Sequence, residues 1–179
     1  MVFNMKWYFW ILIIGISIKL VYILGTAVVV KYFIPLFGKT KPVIRKIPFG
    51  MKNAIASLKA KSKNKEEYLY HTYTFITTKY WSVFAGIWRN FPLLFEHRWA
   101  TLWKRKGYIG CHHFAHLVRI FLLKSGMFKD HEIRFKLSIY DWCVHQYCQV
   151  LINGKWIDVD AWGKKAGIPF GKAAKWVEL

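Results

Sequence analysis

Gly110-Cys111-His112-His113-Phe114-Ala115-His116-Leu117-Val118-Arg119-Ile120-Phe121-Leu122-Leu123-Lys124-Ser125-Gly126 is the stretch that decides the fold. Phe114, Ala115, Val118, Phe121 and Leu122 recur at three- and four-residue steps, which predicts a helix with one apolar face. Gly110 breaks the chain before it. Gly126 stands where a left-handed C-terminal cap belongs, close to the cationic Lys124. The first residue of this helix is a cysteine. A thiol there faces unpaired backbone N–H groups and the positive end of the helix dipole, the surroundings that suit a nucleophilic sulfur.

A nucleophile needs a base, and the base an orienter. The second informative stretch, Asp141 to Trp162, supplies both. Asn153-Gly154 between two alternating apolar runs is a strong hairpin signal. A two-residue loop sets Ile152 opposite Lys155. Counting back along both strands, Leu151 faces Trp156, Gln149 faces Asp158, Tyr147 faces Asp160 and His145 faces Trp162. His145 and Asp160 then share a face as diagonal neighbours, ~7 Å apart at the backbone, within reach of long side chains. A one-residue slip would put them on opposite faces. Asp158, across from Gln149, is the weaker candidate for orienter.

The order Cys111, His145, Asp160 resembles the transglutaminase-like branch of the papain-like cysteine enzymes. That family has a glycine near the cysteine, an aromatic three and an alanine four residues after it, and a glycine fifteen residues on. Gly110, Phe114, Ala115 and Gly126 match, with the glycine adjacent to Cys111 rather than one removed. The second motif, His-x-aromatic followed after a short turn by Trp-x-x-x-Asp, is matched by His145-Gln146-Tyr147 and Trp156-Ile157-Asp158-Val159-Asp160. Gln149 replaces a common acid, and Ala161-Trp162 the usual proline. The resemblance covers about Glu66 to Trp162. It implies an α+β fold with a papain/transglutaminase-like core, in which N-terminal helices and a Cys-bearing helix pack on a small antiparallel sheet. It also implies a protein or peptide substrate, attack on amide or peptide bonds through a thioester, and hydrolysis or acyl transfer without a cofactor. The papain-type glutamine upstream of the cysteine is absent. The Cys111 backbone N–H is then one oxyanion donor, and the Trp103 or Trp81 indole the choice for a second.

Trp7 to Val30 is an apolar run broken only by Lys19, longer than the ~20 residues that span a bilayer. Trp7, Tyr8 and Trp10 at one end, and Tyr32 and Phe33 at the other, suit interfacial belts. A retained anchor is favoured over a cleaved signal, because the run is long and Gly25-Thr26-Ala27 is a poor cleavage site. The division expected is an N-terminal tail (1–6), a transmembrane helix (7–30), a basic juxtamembrane linker (31–65) and the transglutaminase-like domain (66–179). Residues 31–65 hold ten of the 28 Lys/Arg and none of the nine Asp/Glu. Lys31, Lys39, Lys41, Arg45 and Lys46 against Lys6 alone place the catalytic domain in the cytoplasm, on a single-pass membrane protein. Met51, Ile55 and Leu58 among Lys52, Lys59 and Lys61 predict a short basic amphipathic helix, with anionic lipid as its partner or a solvated tether as the alternative. The net charge of +19 also suits nucleic acid, but no groove-reading motif accompanies it.

Between these landmarks, Glu66 to Trp81 and Phe95 to Lys104 read as helices, with a break at Asn90-Phe91-Pro92. Tyr73, Phe75, Tyr80, Trp81, Phe84, Trp88, Phe91 and Phe95 read mostly as packing. Ile133 to Ile139 alternates and predicts a strand, giving at least three antiparallel strands. The loop-rich tail after Trp162 is expected to fold back on the sheet. His112 and His116 share a helix face at a spacing that suits zinc, but no acid accompanies them, so no metal site is expected. Cys143 and Cys148 read as small buried hydrophobes that do not pair with each other. A catalytically silent, membrane-tethered interaction module of the same fold is the alternative function.

Overall fold

The computed structural model describes residues 5–38, 46–81, 89–140 and 143–178. Phe84, Trp88, Lys39, Lys41, Arg45 and Asp141 lie outside the described residues. Five helices are described: α1 (Met5–Phe33), α2 (Phe49–Ala60), α3 (Lys65–Lys79), α4 (Trp99–Lys104) and α5 (Cys111–Lys124). The strands are β1 (Tyr80–Trp81), β2 (Gly107–Tyr108), β3 (Ile133–Tyr140), β4 (Cys143–Ile152), β5 (Lys155–Val159) and β6 (Val177–Glu178). The fold is mixed α+β. An antiparallel sheet ordered β5-β4-β3-β6 carries the helices on its face, and a short parallel pair, β1 with β2, stands apart.

α5 is the central element. It starts at Cys111, and Gly126 beyond its end takes the left-handed φ of +74°. One apolar face was expected, yet everything from His112 to Leu122 is buried. β4 lies on one side of it and α3 on the other, and the 34–38 turn and the 94–96 segment bond the histidines near its start. Leu117, Val118, Phe121 and Leu122 are fully enclosed. Each such side chain contributes roughly 1.5–3 kcal/mol through its removal from water. Arg119, the one buried cation of the helix, donates to Asp130 Oδ1 from Nη2 at 2.7 Å.

α3 begins on a side-chain cap: Asn64 Oδ1 accepts from the Glu67 N–H at 2.9 Å, worth about 1 kcal/mol. It ends two residues earlier than expected, because Tyr80 and Trp81 leave the helix to pair with Gly107 and Tyr108. The helix expected over Phe95 to Lys104 is instead a 3-10 turn (Phe91–Phe95) followed by α4. Glu96 makes the break: its carboxylate accepts from the N–H groups of His97 and Arg98 at 3.0 and 2.8 Å, and from the Arg98 guanidinium. Local side-chain bonds of this kind compete with helix.

The stretch 31–65 holds α2, and its Met51 and Ile55 are part of the core. α1 is long and apolar enough to cross a membrane over Trp7–Phe33; no residue of its apolar window is buried, although it meets the body at β4. A turn after it, with Ile34, Leu36 and Phe37 buried, ties its end to the body. There Leu36 O accepts from His116 Nε2 at 2.8 Å, and the Gly38 N–H donates to Gln146 Oε1 at 2.6 Å.

The β4–β5 register is the one the turn dictates, from Ile152↔Lys155 to Gln149↔Asp158. Asn153 and Gly154 take the positive φ values of a type I′ turn, 50° and 79°. The ladder stops at Cys148↔Val159, so Tyr147–Asp160 and His145–Trp162 are not strand partners. The tail returns as β6 against β3.

Candidate active site

Three segments bring one polar side chain each to the same point. Cys111 is the first residue of α5, half-buried, and Gly110 before it is extended. A Cβ at Gly110 would lie 2.8 Å from His112 Cε1, so the close turn into the helix has no room for a side chain. His145, near the start of β4, is buried. Its Nε2–H donates to Asp160 Oδ2 at 2.8 Å. The Cys111 sulfur adjoins the same ring and favours its charged form. With Nε2 turned to the carboxylate, Nδ1 is the nitrogen left for the sulfur.

Asp160 follows β5 directly and holds the chain where it leaves the ladder. Oδ1 accepts from the Gly163 N–H and Oδ2 from the Ala174 N–H, both at 2.9 Å. A carboxylate with three donors is fixed in place. The position of Gly163 adds to this, since a Cβ there would come within 2.7 Å of Asp160 Oδ2. Trp162 covers the imidazole with ring centroids 4.7 Å apart, and Tyr147 lies nearly parallel to it at 6.2 Å. Burial works against a charged His145, but the adjoining Asp160 carboxylate and the Cys111 sulfur outweigh it. The imidazolium is stabilised, with the pKa pushed up to about 10.

The three histidines of α5 fasten segments. His112 Nε2–H donates to Leu94 O at 3.1 Å, His113 Nε2–H to Glu96 O at 2.7 Å and His116 Nε2–H to Leu36 O at 2.8 Å. His113 also reaches back, its Nδ1 accepting from the Gly110 N–H at 3.2 Å, which caps the helix behind Cys111. Burial holds His113 down to about 4 and His112 well below its ordinary range. Among the described residues no group of three or more His, Cys, Asp or Glu is arranged for a metal ion.

Asp158 does not reach His145. It accepts from Gln149 Nε2 at 2.7 Å and meets Lys175, while Arg134 donates to the Gln149 oxygen. Cys148 is buried and donates to Ala115 O, and burial pushes its thiol up. Trp103 stacks on Phe75 and lies against Phe121, ten residues or ~15 Å along α5 from Cys111. Its indole is thus removed from the sulfur. Trp81 lies edge-on to Tyr108, two residues before Gly110. The hairpin count sets Trp162 opposite His145, but the ladder ends before that pair, and the cover it gives the imidazole is not read from sequence. The Ala174 N–H comes from a tail with no periodicity to read.

A cavity of about 470 Å³ opens beside the thiol, with Cys111 and His145 in its wall. Tyr22, Phe37, Leu94 and Val144 are among the residues that line it.

No protein-family profile matches the chain, and no curated protein matches it. A solved structure described as "Crystal structure of a TGase" is similar to it, with 12% sequence identity and a TM-score of 0.49. The likeness covers 71% of this chain and 35% of that one, so the chain spans about a third of its length. At that identity and TM-score the likeness assigns no activity.

Proposed function

We propose that the protein is a membrane-anchored, transglutaminase-like thiol enzyme that acts on an amide or ester carbonyl through Cys111, His145 and Asp160. The observation that carries this reading is the placement of His145, bonded to Asp160 at 2.8 Å and adjoining the Cys111 sulfur in the wall of the same cavity. A nucleophile, a base and an orienter in that order are what covalent acyl chemistry needs.

The steps follow from those positions. The Cys111 thiolate, beside the imidazolium and at the start of α5, attacks the carbonyl carbon. A sulfur–carbon bond forms and the carbonyl π pair moves to oxygen, for which the N–H of Cys111, at the first turn of α5, is the donor this reading assigns. Collapse expels the amine or alkoxide, and His145 gives it the proton from Nδ1. The thioester left on Cys111 then passes to water or to an amine, whose proton returns to His145. Asp160 keeps Nε2 occupied throughout, which fixes the ring's orientation and favours its charged form. α1 supplies the membrane anchor and the body lies on the cytoplasmic side.

Nitrophenyl acetate tests the reading directly. Intact-mass measurement on the full chain should find one acetyl group, lost on treatment with hydroxylamine and absent in Cys111→Ser. In His145→Ala its formation should slow by on the order of 10²-fold or more. Acetylation that is indifferent to both substitutions would overturn the assignment.

A further inference from the structure

The cavity beside Cys111 has walls from two sources. One wall belongs to the folded body: Leu94, Tyr108, Val144 and Trp162. The other is α1 itself, through Val21, Tyr22, Gly25 and Val30. Among the described residues no Asp, Glu, Lys or Arg lines it, and the His112 ring in its wall is held neutral by burial and by the neighbouring His113 and His116, which outweigh its bond to Leu94 O. The reactive pair, Cys111 and His145, therefore opens onto a space that is otherwise apolar or aromatic.

That lining selects among substrates. A peptide lying in the cavity would bury N–H and C=O groups with few partners, at ~1–3 kcal/mol for each unsatisfied group. A hydrocarbon chain has nothing to satisfy and gains ~0.8 kcal/mol per methylene buried. The volume, about 470 Å³, falls within the ~300–1,000 Å³ of small-molecule sites. The position of the α1 wall points the same way. Val21 to Gly25 lie 8–12 residues before the end of the helix at Phe33, ~12–18 Å along it. With α1 across a bilayer whose hydrocarbon core is ~30 Å thick, the α1 side of the cavity reaches acyl-chain depth.

Resting on the function proposed above, we infer that the substrate is a membrane amphiphile whose long-chain acyl group occupies this cavity. Its amide or ester carbonyl lies at Cys111, and its leaving group faces the basic body. In the first half-reaction the acyl carbon exchanges its bond to the leaving nitrogen or oxygen for a bond to Cys111 sulfur, and His145 protonates the departing group. The chain stays in the cavity as a long-chain acyl-thioester. Water or an amine then takes the acyl group and returns the thiol.

The experiment compares nitrophenyl acetate with nitrophenyl dodecanoate on the full chain in detergent micelles, following the acyl adduct on Cys111 by intact mass. The dodecanoyl adduct should form faster by about tenfold or more, given the burial gain per methylene. Gly25→Trp provides the second reading. Gly25 is part of the cavity lining, and a Cβ there meets no atom within 4 Å, so an indole at this position is accommodated without a clash and adds bulk to the α1 wall. The long-to-short rate ratio should fall toward one. A wild-type ratio near one, or a ratio that Gly25→Trp leaves unchanged, overturns the inference while the thiol chemistry stands. If neither ester acylates Cys111, the proposed function fails, and the acyl-chain inference with it.

Discussion

Asp160 meets His145 at 2.8 Å after the strand pairing between their two segments has already ended. The last ladder pair is Cys148↔Val159. Beyond it, the carboxylate is held by the Gly163 and Ala174 N–H groups and not by strand register. The orienter is thus fixed by a turn and a returning tail, and the imidazole by the strand.

Gly163→Ala tests that arrangement without touching a reacting group. A methyl group there would lie 2.7 Å from Asp160 Oδ2 and 3.1 Å from Ile168 Cβ, so the carboxylate or the turn must move. We expect Cys111 acylation to slow by about tenfold or more, since small misplacements of positioning groups carry large rate effects. Stability should fall by on the order of 1–3 kcal/mol, the range for local overpacking. Acylation kinetics and thermal unfolding of the same sample separate the two effects.

Asp160→Asn keeps the size and removes the charge. The imidazolium then loses its main support, and the amide cannot accept all three bonds in the same way. Acylation should drop by on the order of 10²–10⁴-fold, the range of general acid–base contributions. Titration of the His145 ring by NMR should show its pKa falling from about 10.

Stability should depend on pH at both ends of the range, with opposite signs. Folding holds His113 down to about 4, and His112 also below its ordinary 6.5. Their contribution is present above 6.5 and lost as pH falls toward 4, when protons must enter buried rings. His145 is held up, to about 10. Its contribution is full below 6.5 and lost as pH rises through 10. Thermal unfolding across pH 4–10 should therefore show a maximum between the two limits. His113→Gln should flatten the acid side and leave the alkaline side in place.

Much of this was readable from residue order, for local reasons. Asn153-Gly154 admits one turn geometry, which sets the β4–β5 register as far as Cys148↔Val159; the approach of Asp160 to His145 beyond that pair rests on the turn at Gly163 and the returning tail. The apolar spacing after Gly110 and the glycine at 126 set both ends of α5. What escaped depends on contacts between distant segments. His112, His113 and His116 are ambiguous in sequence, because the carbonyls they bond belong to Leu94, Glu96 and Leu36. Glu96 ends one short element and starts another through bonds to its own neighbours, which periodicity does not reveal. The partnership of α1 with the thiol cavity has no local signature either, since an apolar span reads the same whether or not it walls a site.

The most direct measurement is the rate of Cys111 alkylation by iodoacetamide at pH 6, followed by peptide mass mapping, in the native chain and in His145→Ala. The account predicts fast modification of Cys111, protection of the buried Cys148, and a fall of at least about tenfold without the imidazole. A Cys111 rate that His145→Ala leaves unchanged would contradict it.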